Sequence, residues 1–384
     1  MRAVMTVLAI WGAGLGAAAQ FGKISVLFNT LGAQYVGASA VGLGLIVSIV
    51  GMVGLVFGTT AGLFVARIGP RRAIVAALLM GAVMSAVQAL GLSYPAMLLS
   101  RVVEGGSHLA IVVVGPTVIA GIATARFRGL AMTLWSSFFG VTYAVLALLA
   151  PPLMAAYGGQ SVFVAHGLWM ALMAGAVWAL LPPDPEAHPM PAGGILAQHV
   201  AIYASPRLSA PALGFFCYTF LYVAVLTLVP PEVPVAQRAL VAAGMPLISI
   251  ALSLTLGVWL LGRMSAVRLV QAGYLAALPG FVLLALFWGQ GWGMVVGGLW
   301  VAGALGVVQG ASFAAIPELN ASAEARAQAS GAIAQLGNLG TTTGTPLLAA
   351  LLLAAGPWGL AGVAGLACAL GIGLHAVQAR RRAG

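Results

Sequence analysis

The chain has 384 residues, 62% of them hydrophobic and only 6% charged, with a formal net charge of +10. A soluble domain carries about 25% charged residues and needs them to cover its surface, so this composition excludes a water-soluble fold and places the chain in a bilayer. The basic excess does not point to nucleic acid, because no basic stripe is interleaved with aromatics; positive charge kept on cytoplasmic loops accounts for it.

A spanning helix takes about 20 apolar residues. Apolar runs separated by Gly, Pro or Arg clusters predict twelve spans: 4–31, 37–66, 72–92, 96–124, 129–156, 160–182, 208–230, 238–262, 267–289, 292–316, 327–355 and 358–379. The N-terminal stretch has no small-residue cleavage site and reads as the first span. The fold class is therefore an all-α integral membrane protein with twelve transmembrane helices. The basic residues orient it. With the N-terminus inside, the inner segments hold Arg2, Arg67, Arg71, Arg72, Arg126, Arg128, Arg207, Arg263, Arg268, Arg326, Arg380, Arg381 and Arg382, against Arg238 alone outside. That bias predicts a multi-pass inner-membrane protein with both termini cytoplasmic.

Between the sixth and seventh spans lies the longest polar stretch, 183–207, near Pro182-Pro183-Asp184-Pro185-Glu186. It reads as a cytoplasmic linker between an N-terminal six-helix bundle (1–182) and a C-terminal one (208–384). The halves repeat. Gly62 to Arg67 ends the second span as Gly257 to Arg263 ends the eighth. Glu104-Gly105-Gly106-Ser107 parallels Gln309-Gly310-Ala311-Ser312, and Arg126 and Gly140 parallel Arg326 and Gly340. Paired six-helix repeats place a substrate site near the bilayer midplane.

These features resemble the major facilitator superfamily over the whole length. The family pattern G-x-L-A-D-R-x-G-R-R after the second helix is met by Gly62, Arg67, Gly69, Arg71 and Arg72, with Ala66 where the family has aspartate. The family's R-x-x-Q-G appears as Arg101-Val102-Val103-Glu104-Gly105. The resemblance implies an alternating-access carrier, monomeric, with those five loop residues in the gating loop. The Gly-rich fifth-helix motif of the drug/proton antiporters is absent: the region reads Leu149-Ala150-Pro151-Pro152-Leu153.

Three charges fall inside spans: Lys23, which is the sole lysine, Arg101 and Glu104. A charge at bilayer depth costs at least about 2.5–3.5 kcal/mol and usually marks a pathway. Arg101, Glu104 and His108 share one helical face by their i, i+3, i+7 spacing. Lys23 and Arg101 are expected to bind an anionic substrate group, Arg with its two-pronged guanidinium and Lys as a point charge. Glu104 is the expected proton carrier, with His108 sharing the proton. The bland alternative is a fixed cluster pinning the first helix to the fourth. His166 reads as a packing or interfacial residue.

Further candidate substrate contacts are Gln20, one turn before Lys23; Trp135, Phe139 and Tyr143 in the fifth span; Tyr218 and Tyr222 in the seventh; and Gln309, Gln335 and Asn338 in the tenth and eleventh. Ordinary core packing or interhelical hydrogen bonding is the competing reading of each. Gly337, Gly340 and Gly344, with Pro346, predict close packing and a bend in the eleventh span. No phosphate-binding loop and no Cys/His cluster with metal spacing is present, so neither an enzyme nor an ATP-driven pump is expected, and nothing calls for a cofactor or metal. Cys217 and Cys368 read as small core residues. The expected function is a secondary transporter of a small organic anion coupled to protons. The alternatives are a multidrug exporter and a non-transporting sensor on the same fold.

Overall fold

Backbone polar groups inside hydrocarbon find no water, so each apolar run must close its hydrogen bonds internally as a helix. A computed structural model of the chain describes residues 2–60, 68–123, 131, 134, 135, 137–184 and 195–383. Among these, eleven helices are long and apolar enough to cross a membrane. They are Arg2–Val26, Ala40–Phe57, Pro70–Gln88, Tyr94–Ile119, Phe138–Tyr157, Gln160–Leu180, Ser209–Glu232, Val235–Leu261, Ala266–Leu286, Gly291–Leu319 and Gln328–Ala383. The last is two spans joined at Gly356, whose φ of 64° and ψ of −164° are not helical, which brings the spans among the described residues to twelve. The first span is shorter than expected: it stops at Val26, and a separate short helix, Phe28–Gln34, follows.

Contacts divide the chain into two compact units, Met1–Gly37 with Ile49–Ala192, and Ala38–Ser48 with Gly193–Gly384.

In the first unit the first span is the hub, packing on the fourth, fifth and sixth. Its glycines let other helices approach closely. A Cβ on Gly14 would lie 2.9 Å from the Trp135 ring, and one on Gly16 would lie 2.3 Å from Met170 Sδ. Its carbonyls are thereby open to donors from neighbouring spans. Trp169 Nε1 donates to Gly12 O (2.9 Å), Thr142 Oγ1 to Leu15 O (3.0 Å), His166 to Gly16 O (2.9 Å) and His108 to Ala17 O (3.0 Å). Interhelical hydrogen bonds and small-residue contacts replace the hydrophobic driving force that lipid removes.

In the second unit the seventh and eleventh spans meet along the predicted glycine stripe. A Cβ on Gly340 would lie 2.5 Å from Phe216 O, and one on Gly344 would lie 2.0 Å from Phe220 O. Ala40–Ser48 also packs on the eleventh span: Ser48 Oγ donates to Thr342 O (2.9 Å). The short helix Ile195–Ala204 is tied to the same unit. Tyr203 donates to Gln335 Oε1 (2.7 Å), and Arg381 reaches Ala204 O (3.1 Å) at the helix's C-terminal end.

The internal repeat is visible in packing. A 3-10 turn, Ile49–Gly51, interrupts the second span, and a π turn, Ser253–Gly257, interrupts the eighth. Both irregularities lie where the paired glycine of the fourth or tenth helix presses in. A Cβ on Gly105 would lie 2.3 Å from Val50 O, and one on Gly310 would lie 2.4 Å from Ser253 Oγ. Such mid-helix turns often mark a strained or functional position.

Candidate functional site

The three intramembrane charges come together inside the first unit. Lys23 Nζ lies 2.5 Å from Glu104 Oε1, and Arg101 Nη1 bonds Glu104 Oε2. All three side chains have 0% exposure. The fourth span supplies Arg101 and Glu104 one turn apart, and the first span delivers Lys23 from across the helix interface. The third span completes the cluster with Ser85 and Gln88, also one turn apart. Lys23 donates to Ser85 Oγ (2.6 Å), and Gln88 Nε2 donates to Glu104 Oε2 (3.0 Å) and lies 3.1 Å from Ser100 Oγ. Glu104 thus accepts from Lys23, Arg101 and Gln88, as a buried carboxylate must if it is to remain ionised. The three charges sum to one positive.

His166 is part of this cluster, not an interfacial residue. Its Nε2 faces the Gly16 carbonyl at 2.9 Å, and a carbonyl only accepts, so Nε2 carries the proton. Nδ1 is then the acceptor, 2.6 Å from Ser85 Oγ and 3.3 Å from Lys23 Nζ. His108 behaves differently. Its Nδ1 donates to Ala17 O, its ring meets Phe21 edge-on at 5.0 Å, and its partners do not include Glu104. Gln20 sits beside the cluster, with Nε2 on Ser107 Oγ (2.9 Å) and Oε1 without a partner among the described residues.

The aromatic candidates of the fifth span form a ladder against the first. Phe139 stacks on Tyr143 (5.2 Å) and approaches Phe21 (6.0 Å), while Tyr143 Oη lies 3.2 Å from Ser25 Oγ. Trp135 is a core residue: a Cβ on Gly115 would come within 2.3 Å of its ring. In the second unit Tyr218 stacks on Tyr222 (5.0 Å), and Phe215 links Tyr218 to Phe313. Gln335 is engaged by Tyr203 and His199, and Asn338 donates to Ala334 O (2.7 Å) on its own helix. Gln309 is half-buried on the tenth span.

Of the residues expected to form a gating loop, Gly62 and Arg67 lie outside the described residues. The rest is organised by an acid from the linker. Asp184 accepts from the backbone N–H of Arg71 (2.7 Å) and Arg72 (3.0 Å) at the N-terminus of the third span. Only glycine fits beneath it: Gly69 has φ 93°, and a Cβ there would lie 2.3 Å from Asp184 Cγ. Arg71 also donates to Trp178 O (2.6 Å) and stacks on that indole at 4.0 Å.

The sequence reading did not pick out Ser85, Gln88, His166 or Asp184 as site residues. The first two were legible as an i, i+3 polar pair in an apolar span; nothing local marked the others.

Charges buried within membrane-spanning helices usually mark a pathway for a solute or ion. The Major Facilitator Superfamily profile matches residues 6–345, and the chain belongs to that family. That family is one of secondary transporters rather than enzymes. A relative is the inner membrane transport protein YajR of Escherichia coli K12, 27% identical over 233 residues, which are 58% of this chain and 50% of that protein. The matched stretch thus spans about half the length of that curated relative. Among solved structures, the human organic anion transporter MFSD10 (TETRAN) superposes with a TM-score of 0.72 at 18% identity, covering 97% of this chain and 99% of that one. A bacterial homologue of the human lysosomal transporter Spinster, inward-facing and unoccupied, gives 0.72 at 16% identity over 99% and 97%. The E. coli fucose:proton symporter FucP gives 0.67 at 15% identity over 97% and 98%.

Proposed function

We propose that this protein is a proton-coupled carrier of a small organic anion in an inner membrane. One observation carries the reading: the buried Lys23–Glu104–Arg101 cluster holds one positive charge more than it balances. An uncompensated charge in a low-dielectric interior costs several kcal/mol. Two events relieve it, namely arrival of an anion or loss of the Lys23 proton. An anion that enters while Lys23 is protonated makes the neutral combination, so anion and proton move together. Arg101 and Lys23 are the anion's counter-charges in this scheme, and Glu104 is the fixed acid between them. The aromatic ladder of Phe139 and Tyr143 supplies an apolar flank for an organic body. His108, bonded to Ala17 O beside Phe21, is a further contact for the bound solute in this scheme.

Export of cationic drugs is the competing reading. It requires Glu104 to meet the drug, whereas that carboxylate already accepts from three donors.

The test is uptake of radiolabelled benzoate, lactate and succinate into proteoliposomes under a proton gradient of either sign. Accumulation that collapses with a protonophore and is lost in Lys23→Met supports the carrier. Accumulation of ethidium instead of any of these anions rejects it in favour of the exporter.

A further inference from the structure

The cluster contains a buried imidazole for which the anion scheme has no use. His166 sits on the sixth span with 5% exposure, and its two nitrogens have different tasks. Nε2–H is committed to the first span through Gly16 O. Nδ1, a free base in that tautomer, faces the Ser85 hydroxyl at 2.6 Å. Ser85 is fully buried, and its oxygen in turn accepts from Lys23 Nζ at 2.6 Å. A hydroxyl has one proton to give. Since Lys23 can only donate, Ser85 gives it to His166. The direct Lys23–His166 separation is longer, 3.3 Å. Three spans therefore hold a donor chain of ammonium, hydroxyl, imidazole and carbonyl, beside the bond that the ammonium also gives to Glu104.

We propose that His166 is the acceptor that discharges Lys23 through Ser85, which makes both of them working parts of the coupling site. The proposal rests on the proton-coupled reading above. In the step, one N–H bond of Lys23 breaks as its proton passes to Ser85 Oγ. The original hydroxyl proton passes to His166 Nδ1. Lys23 ends as a neutral amine, Ser85 as a hydroxyl again and His166 as an imidazolium; no co-reactant is consumed. Loss of one ring proton to water then completes the discharge of the cluster, and the reverse sequence reloads it.

The charged groups that act on the ring are Lys23 from the first span and Glu104 and Arg101 from the fourth; the third span contributes Ser85, which does not ionise. Glu104 is the attractive member. It draws positive charge toward the cluster whether that charge resides on the amine or on the ring. Glu104 itself is a poor stop for the proton, because all three of its donors would have to rearrange.

The test uses full-length protein in proteoliposomes with His166→Gln, Ser85→Ala and Ser85→Thr. Glutamine can keep both hydrogen bonds of the ring, to Gly16 and to Ser85, but takes no proton. Proton-driven accumulation of the anion should fall at least about tenfold in His166→Gln and Ser85→Ala, the scale of a lost proton-transfer group. Anion-for-anion exchange, which needs no discharge, should fall less than accumulation does in the same variant, so that the ratio of exchange to accumulation rises. Ser85→Thr retains the hydroxyl and should restore accumulation. Equal loss of both modes, or no loss in either, overturns the relay.

If wild-type protein moves none of the benzoate, lactate and succinate probes, the anion reading fails and the relay is judged without substrate. Ring-nitrogen NMR of histidine-labelled protein, with His166 assigned by difference from His166→Gln, should show Nε2 protonated and Nδ1 a hydrogen-bonded acceptor at neutral pH. That Nδ1 shift should move in Ser85→Ala. A ring protonated on Nδ1, or one indifferent to Ser85, overturns it.

Discussion

Glu104 is the residue on which the first unit depends, because it is the only acid in a cluster with two cations. Removing it leaves Lys23 and Arg101 buried together without a counter-charge, whereas removing Lys23 leaves a balanced Arg101–Glu104 pair. Breaking a buried pair from one side costs about 3–5 kcal/mol. Glu104→Gln should therefore lower the melting temperature of the detergent-purified protein well below that of Lys23→Met. The reverse order would mean that Glu104 is not the shared counter-charge of the cluster. Outside the spans, Tyr203 gives a pH effect with a definite sign. Burial pushes its phenol up to about 12 from the ordinary 10.0. Its folded value is raised, so the stability it contributes is complete below pH 10 and is lost as the pH rises toward 12. Absorbance at the phenolate band, taken as wild type minus Tyr203→Phe, should place this one tyrosine's ionisation near the upper value. Ionisation at the ordinary value would mean that the phenol is not buried as described.

Helices in this molecule are set by how closely their backbones approach. Gly340 meets the Phe216 carbonyl, where even a methyl group has no room, while Gly362 and Gly373 have nothing within 4 Å. Overpacking costs about 1–3 kcal/mol or more when the obstacle is backbone. Gly340→Ala should lower both folded yield and melting temperature, and Gly373→Ala should change neither. Equal behaviour of the two variants would mean that the seventh and eleventh spans do not pack as described. At the third span, Asp184 satisfies two N-terminal N–H groups that have no helical partner. Asp184→Asn should cost about 0.5–2 kcal/mol by weakening this cap. Arg72→Gln should cost little, because the Arg72 side chain is 74% exposed and 3.8 Å from the acid. Denaturation midpoints of the two variants in one detergent decide between a cap and a surface ion pair.

Across the molecule the arginine distribution predicts which side is which. Ser93 and Ala321 are both exposed, and the predicted topology places them on opposite faces of the membrane. The native thiols Cys217 and Cys368 are buried and should stay silent. An impermeant maleimide added to intact cells should label Ser93→Cys and spare Ala321→Cys until the membrane is opened. Labelling in the opposite pattern would invert the topology.

How much was legible follows from the range of each interaction. Span number, the twelve-helix class and the family motif were readable because hydrocarbon thickness sets span length and imposes helix on every span, whatever its neighbours. The meeting of Lys23 with Glu104 was readable because isolated charges in apolar runs must find each other. The glycine stripe of the eleventh span announced close packing, but not that the seventh span would fill it. His166 and Asp184 had no signal in their own neighbourhoods. Which carbonyl a buried histidine faces, and whether a linker acid reaches a helix end more than a hundred residues earlier in the chain, depends on how helices rotate and dock. Sequence by itself determined the solvent, the number of crossings and the charges that need explaining. Tertiary structure alone decided which atoms share each proton, because hydrogen bonds act over about 3 Å and their partners come from four different spans.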